Sequence, residues 1–230
     1  NLSVRTTEAP NKLPPLEDLA FGKLFSDHMF IVEWSAKHGW DQPAIKTVEP
    51  LPLHPGAQVL HYGLECFEGM KAYIGVDDSI RLFRPEMNMA RLGRSAARMN
   101  LPDFDQDQVL HCLKELLKVD RAWIPKKEGY SLYLRPTVIA TTPYLGVGPP
   151  SNAMLYVITS PVGPYFPSGL VPISLFLDES NVRAWPGGVG DAKVTLAGKN
   201  KPMSPTSSGA RPRPTHKSSP ILPLLQRFCS

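Results

Sequence analysis

An α+β fold is what the sequence predicts, and three observations carry that reading. Runs such as His28-Met-Phe-Ile-Val-Glu-Trp34 are dense in aromatic and β-branched residues, as strands are. Two stretches between residues 85 and 117 repeat apolar residues at helical spacing. The two kinds of element mix without a regular strand–helix–strand alternation, which disfavours a doubly wound parallel sheet. The 230 residues suffice for one large domain or two modest ones.

In chain order, residues 1–20 are polar and proline-bearing and predict an extended arm. Residues 28–34 predict a strand, and Pro50 to Pro55 a loop. Within Gln58 to Gly75, a turn or short helix is expected near Glu65 to Gly69. Ile80 to Arg84 predicts another strand. Pro85 then opens a helix, because proline's fixed φ and missing N–H suit the first helical position. Met89, Leu92, Ala96 and Met99 form its buried stripe. Arg91, Arg94 and Arg98 share another face, and Arg94 and Arg98 are expected to be solvated. Asp105, three residues before Gln108, predicts the cap of a second helix. That helix buries Val109, Leu110, Leu113, Leu116 and Leu117 and ends at Pro125. Strands are predicted at Tyr130 to Ala140, Ala153 to Thr159 and Val171 to Leu177. The first two are joined by an irregular loop, Thr142 to Pro150, that is rich in glycine and proline.

Charge shifts abruptly along the chain. Lysine and arginine number 25 against 21 acids, but six of the basic residues and none of the acids fall in 195–230. The rest is slightly acidic, so no nucleic-acid partner is expected of the folded part. No apolar run reaches the ~18–20 residues that span a bilayer, and no membrane association is expected. Cys66, Cys112 and Cys229 form no Cys-x-x-Cys pair and no zinc spacing, so no metal is expected. Asn1 in place of methionine suggests a processed chain or a fragment, and the first residues lack the plan of a secretory signal. Residues 195–230 carry six prolines and no visible period until Ile221. A disordered tail would have this composition. A shifted reading frame or retained intron is preferred, because the change of composition is so abrupt. The domain reading is therefore 1–162 as a small α+β domain with its arm, 163–170 as an interdomain loop, 171–194 as the start of a larger domain, and 195–230 as a tail.

Lys193 closes the run Arg183-Ala-Trp-Pro-Gly-Gly-Val-Gly-Asp-Ala-Lys193. Its glycines permit close backbone approach, as phosphate sites require. A P-loop is rejected, since Ala192 precedes the lysine and Gly198-Lys199 is followed by asparagine. Three further motifs precede it in order: Phe67-Glu-Gly-Met-Lys-Ala-Tyr73, Arg81-Leu-Phe-Arg-Pro-Glu-Met-Asn-Met-Ala-Arg91 and Leu132-Tyr-Leu-Arg-Pro136. From about Leu19 to Lys193 the chain resembles the branched-chain amino acid aminotransferases, fold-type IV enzymes that use pyridoxal 5'-phosphate.

The resemblance implies a set of roles. Lys193 matches the family's Schiff-base lysine, which also shuttles the substrate's α-proton. Arg91 matches the arginine on the cofactor phosphate. Tyr62, Tyr133 and Arg135 match small-domain residues around the substrate, with Tyr133 and Arg135 meeting glutamate's distal carboxylate. Tyr165 matches a tyrosine of the interdomain loop. Leu145 and Val147 match a loop that reaches the neighbouring subunit's pocket, which implies a homodimer. Phe25 and Phe30 are further candidates for the pocket wall. Implied substrates are leucine, isoleucine, valine, glutamate and their 2-oxo acids, in the cytosol or the mitochondrion.

The resemblance fails after Lys193. The family's Gly-Gly-Asn-Tyr is replaced by Val-Thr-Leu-Ala, and no acid follows Asp191. Lys193 is expected to lack a wall, and the chain to have little or no activity. The alternative is a non-catalytic protein that pairs with a full-length aminotransferase subunit.

Overall fold

The computed structural model describes residues 1–164, 171–172 and 186–194. Among these residues nine strands form one sheet: β1 (Ser3–Val4), β2 (His28–Ser35), β3 (Gly39–Trp40), β4 (Ala44–Thr47), β5 (Glu65–Phe67), β6 (Met70–Ile74), β7 (Ile80–Leu82), β8 (Ser131–Ala140) and β9 (Asn152–Val162). Their order is β1-β4-β2-β9-β8-β6-β7, with β3 beside β2 and β5 beside β8. The β1–β4 pair is parallel and the other pairs are antiparallel. The described α-helices are α1 (Gln58–Tyr62), α2 (Pro85–Arg98) and α3 (Gln106–Val119). None of the described helices is long and apolar enough to cross a membrane.

Residues paired across neighbouring strands project to the same side of a sheet. One side therefore carries Phe30, Cys66, Ala72, Leu132, Leu134, Val138, Leu155 and Val157, and it packs on α2 and α3. Met89, Leu92 and Ala96 of α2 and Leu113, Leu116 and Leu117 of α3 supply the facing stripes. The other side carries Met29, Ile31, Ile139 and Met154, covered in part by Leu51, Leu53 and Val59. Glu65, Phe67, Tyr133, Arg135 and Thr137 belong to this second side, away from the long helices.

Several expectations need correction. The short helix lies at Gln58–Tyr62, and Glu65–Phe67 is a strand. Gly63, at φ 59°, ends the helix in the left-handed conformation and frees the next residues to pair with β8. The second helix ends at Val119, before Pro125, and a 3-10 turn at Arg121–Trp123 follows. The arm is not merely extended: β1 adds to the sheet edge beside β4. Further along, the Thr7 amide donates to His28 Nε2 at 2.9 Å, and Asn11 Nδ2 donates to Asp27 Oδ1 at 2.6 Å. The predicted strand from Val171 lies almost wholly outside the described residues.

Pro136 has a specific position in β8. It sits where the partner strand changes from β6, paired at Leu134, to β5, paired at Thr137. Its carbonyl accepts the Glu68 amide at 2.8 Å, so its nitrogen faces the same neighbour and has no hydrogen to give. The ladder parts there, at Glu68 and Gly69.

Candidate active site

Strand alternation sends consecutive residues to opposite faces here. Phe67 keeps the open side of the sheet, while Glu68 enters the helix side and is fully buried. A buried carboxylate needs a partner. Arg91, on α2, supplies two donors: Nε to Oε1, and Nη2 to Oε2 at 2.8 Å. Asn88 Nδ2 and the Gly69 amide add bonds to Oε2 at 3.0 and 3.1 Å. Burial alone would raise the Glu68 pKa, but these donors, Arg91 first, hold it below the usual carboxylate range. In return Glu68 holds the Arg91 guanidinium protonated.

One turn beyond Arg91, the hydroxyl of Ser95 accepts the Lys193 amide at 2.9 Å. The Phe67 amide donates to the Lys193 carbonyl at 3.1 Å, and Val194 bridges Cys66 at the free edge of β5. Lys193 Nζ stands 5.0 Å from the centre of the Phe67 ring. On the small-domain side, Phe67 lies against the Lys193 side chain and Ser95 against its backbone. Arg98 is exposed, as expected, and it also donates to the Gly188 carbonyl at 3.0 Å, which fastens the glycine-rich turn to α2. Arg94 is exposed, as expected.

On the open side of the sheet, Arg135 Nε donates to Tyr133 Oη at 3.1 Å. The Arg135 guanidinium stands 4.6 Å from the Phe67 ring centre, a cation–π distance. Phe67 is thus flanked by Arg135 and by Lys193. Phe21 meets Tyr133 edge-on at 5.0 Å. Gly69 has no side chain for a reason, since a Cβ there would collide with the Tyr133 hydroxyl. Tyr156, opposite Thr137 on the same face, is held above the usual phenol range, first by burial and then by the Glu65 charge.

The expected site residues form two groups by contact. Lys193, Arg91, Arg135 and Tyr133 are joined through Phe67, Glu68 and Ser95. Tyr62, Leu145 and Val147 form the other. The Tyr62 hydroxyl donates to the Leu145 carbonyl, and Tyr62 and Val147 line a shallow cleft of about 340 Å³ with Leu64, Met99 and Asn100. Tyr165 lies outside the described residues. Phe30 is buried in the core beneath the helices and does not face the open side, whereas Phe25 is exposed. The alternation of β2 carries the reason: Phe30 pairs with Val157, and both point to α3. Phe67 and Glu68 lay inside a quoted motif, and their opposite facing follows from strand alternation once Glu65–Phe67 is a strand and not the expected turn. Ser95 sits four residues after Arg91, and that spacing on one helical face was the available signal. Among the described residues no cluster of three His, Cys, Asp or Glu could hold a metal ion.

No family model matches the chain. Curated proteins do. A branched-chain-amino-acid aminotransferase of Monosiga brevicollis is 53% identical over 192 residues, which cover 84% of this chain and 49% of that protein. The cytosolic branched-chain-amino-acid aminotransferase of Mus musculus is 53% identical over 182 residues, 79% of this chain and 47% of that protein. The mitochondrial one of Rattus norvegicus is 51% identical over 196 residues, 84% of this chain and 50% of that protein. The chain spans about half the length of the curated relatives it matches. A solved branched-chain aminotransferase from the thermophilic archaeon Thermoproteus uzoniensis, with norvaline, aligns with TM-score 0.47 and 21% identity, over 60% of this chain and 43% of that one. Identity near one half, sustained across four fifths of its residues, makes this stretch of the chain similar to branched-chain-amino-acid aminotransferases.

Proposed function

We propose that this fold serves amino-group transfer between leucine, isoleucine or valine and 2-oxoglutarate, with pyridoxal 5'-phosphate as cofactor. The observation that carries the reading is the connection from Arg91 to Lys193. Arg91 and Ser95 lie one turn apart on α2, and Ser95 holds the Lys193 backbone. A fixed guanidinium and a primary amine so linked suit a ligand with a phosphate at one end and an aldehyde at the other.

Each side chain then has a task. Arg91, held by Glu68, would bind the phosphate with the edge of its guanidinium that Glu68 leaves open. Lys193 would hold the cofactor and carry the proton to and from the substrate's α-carbon. The cofactor, when bound, supplies the electron sink for that proton removal. Phe67 gives Lys193 an apolar wall that excludes water. An apolar wall suits branched aliphatic side chains. Arg135, steadied by Tyr133, would meet the second carboxylate of glutamate or 2-oxoglutarate. Leu145 and Val147, exposed on their loop, would meet a second subunit.

Residues 192–230 contain no Asp or Glu. This stretch would not supply a charge partner for the cofactor's ring nitrogen, so the 230 residues alone are expected to turn over slowly or not at all. The test is to add pyridoxal 5'-phosphate, reduce with borohydride, and locate the modified peptide, while following leucine-dependent glutamate formation. Modification at Lys193 with little turnover is the expected result. Absence of modification at Lys193 would overturn the cofactor assignment, and robust turnover lost in Lys193→Ala would overturn the expected inactivity. The exposed Leu145 and Val147 favour a second reading, a non-catalytic partner of a full-length subunit. Co-purification with a full-length aminotransferase tests that reading.

A further inference from the structure

Gln58 is wholly buried. An amide in that position must find partners, and its choice of partners is informative. Nε2 donates to the Gly146 carbonyl at 3.4 Å and the Gly148 carbonyl at 3.2 Å. Two carbonyls fix the orientation of the amide, since only its NH₂ end can face them. Oε1 has no partner among the described residues. The Gln58 main-chain N–H also donates to the Thr142 carbonyl at 3.1 Å. Four residues on, along the same face of α1, the Tyr62 hydroxyl reaches the Leu145 carbonyl. α1 therefore holds the carbonyls of residues 145, 146 and 148. The ends of the loop are closed separately: Thr142 Oγ1 accepts the Ser151 and Asn152 amides at 2.8 and 2.9 Å.

This clamp presents apolar side chains to water. Leu145 is 65% exposed and Val147 is 87% exposed. An apolar side chain of the same volume at position 58 would remove the orphaned Oε1 but would leave the Gly146 and Gly148 carbonyls without this donor. What the amide adds is direction, since its two N–H groups set where the loop's carbonyls, and hence its side chains, can lie.

We propose that Gln58 is a positioning residue: together with Tyr62 it aims Leu145 and Val147, so that a second subunit of this fold receives them in its substrate pocket. The docking half of this proposal rests on the functional reading given above. The aiming half does not.

The test uses the whole chain. Gln58→Met keeps volume and removes both donors. Backbone ¹⁵N relaxation should show order parameters for residues 146–148 falling from about 0.85 to below about 0.6, with β8 and β9 unchanged. Tyr62→Phe, at an exposed position, should loosen residue 145 alone, and it serves if Gln58→Met fails to fold. Unchanged loop order in the variant that folds would overturn the proposal. A lowered midpoint with unchanged order would identify Gln58 as a packing residue only. For docking, fluorescently labelled chain is titrated with unlabelled chain. Gln58→Met should weaken association at least ten-fold, as should Leu145→Ser with Val147→Ser. Loss of association in the Leu145/Val147 variant but not in Gln58→Met would leave the docking reading standing and sink Gln58's part in it. Association unaffected by Leu145→Ser with Val147→Ser, or absent altogether, would remove the docking half.

Discussion

The Lys193 amide donates to Ser95 Oγ at 2.9 Å, one helical turn from Arg91. This bond fixes where the lysine leaves the backbone, so its loss should be felt at the amine. Ser95→Ala is expected to cost about 1 kcal/mol of stability, the worth of one hydrogen bond. It should also reduce borohydride trapping of pyridoxal 5'-phosphate on Lys193. Ser95→Thr, which keeps the hydroxyl, should trap more than Ser95→Ala. Equal trapping in both variants would show that the hydroxyl does not position the lysine.

The Arg91–Glu68 pair should respond asymmetrically to substitution. Arg91 is part-exposed and can be resolvated, whereas Glu68 cannot. Arg91→Met should therefore destabilise by about 3 kcal/mol at neutral pH, because it strands a buried charge. Glu68→Gln should cost less. Urea unfolding of the two variants checks the order.

The pH dependence should change sign between the parent chain and Arg91→Met. Hydrogen bonds hold the Glu68 pKa below its unfolded value in the parent. Its contribution is present above an unfolded pKa of about 4.3 and is lost as pH falls through the lower folded value. In Arg91→Met, burial dominates and raises the Glu68 pKa. That variant should gain stability as pH falls from 7 towards about 4.3. Parallel pH curves for the two proteins would contradict the pairing.

Asp105 Oδ1 accepts the Gln108 amide at 2.9 Å and caps α3. Asp105→Ala should cost about 1 kcal/mol, and Asp105→Asn much less. Thermal unfolding of both variants measures the difference.

Cys66 and Cys112 are buried. Burial pushes the Cys66 thiol up to about 12 and raises that of Cys112. Neither should react with a maleimide until the chain unfolds, since the thiolate is the reactive form. Rapid native labelling of either, located by peptide mass, would contradict the packing.

The sequence made the long elements legible, because their periodicity matches what they bury. α2 and α3 show stripes that fill the helix side of the sheet, and Pro85 and Asp105 mark their starts. β2, β8 and β9 read as strands from their β-branched and aromatic content. α1 and β5 were misplaced, because five- and three-residue elements carry too little pattern and are decided by tertiary pairing. The charged candidate residues Arg91, Arg135 and Lys193 could be picked out only through the motifs that carry them. Gln58 could not, since a glutamine opening a one-turn helix carries no signal until its partners are in place, and Ser95 was signalled only by its four-residue spacing from Arg91 on one helical face. Glu68 was quoted in a motif, but its pairing with Arg91 depends on which way a strand residue turns.

Pro136 gives the sheet a passage. A continuous ladder is a partition, and chemistry on one side is insulated from chemistry on the other. One absent hydrogen on a proline nitrogen ends the β5 pairing beside Glu68 and Gly69. Strand alternation already sets Phe67 and Glu68 on opposite faces, and the parted ladder leaves the Glu68 carboxylate against Arg91 while Phe67 stays beside Arg135 and Lys193. A change at Phe67 or Glu68 is therefore expected to be felt on both faces of the sheet.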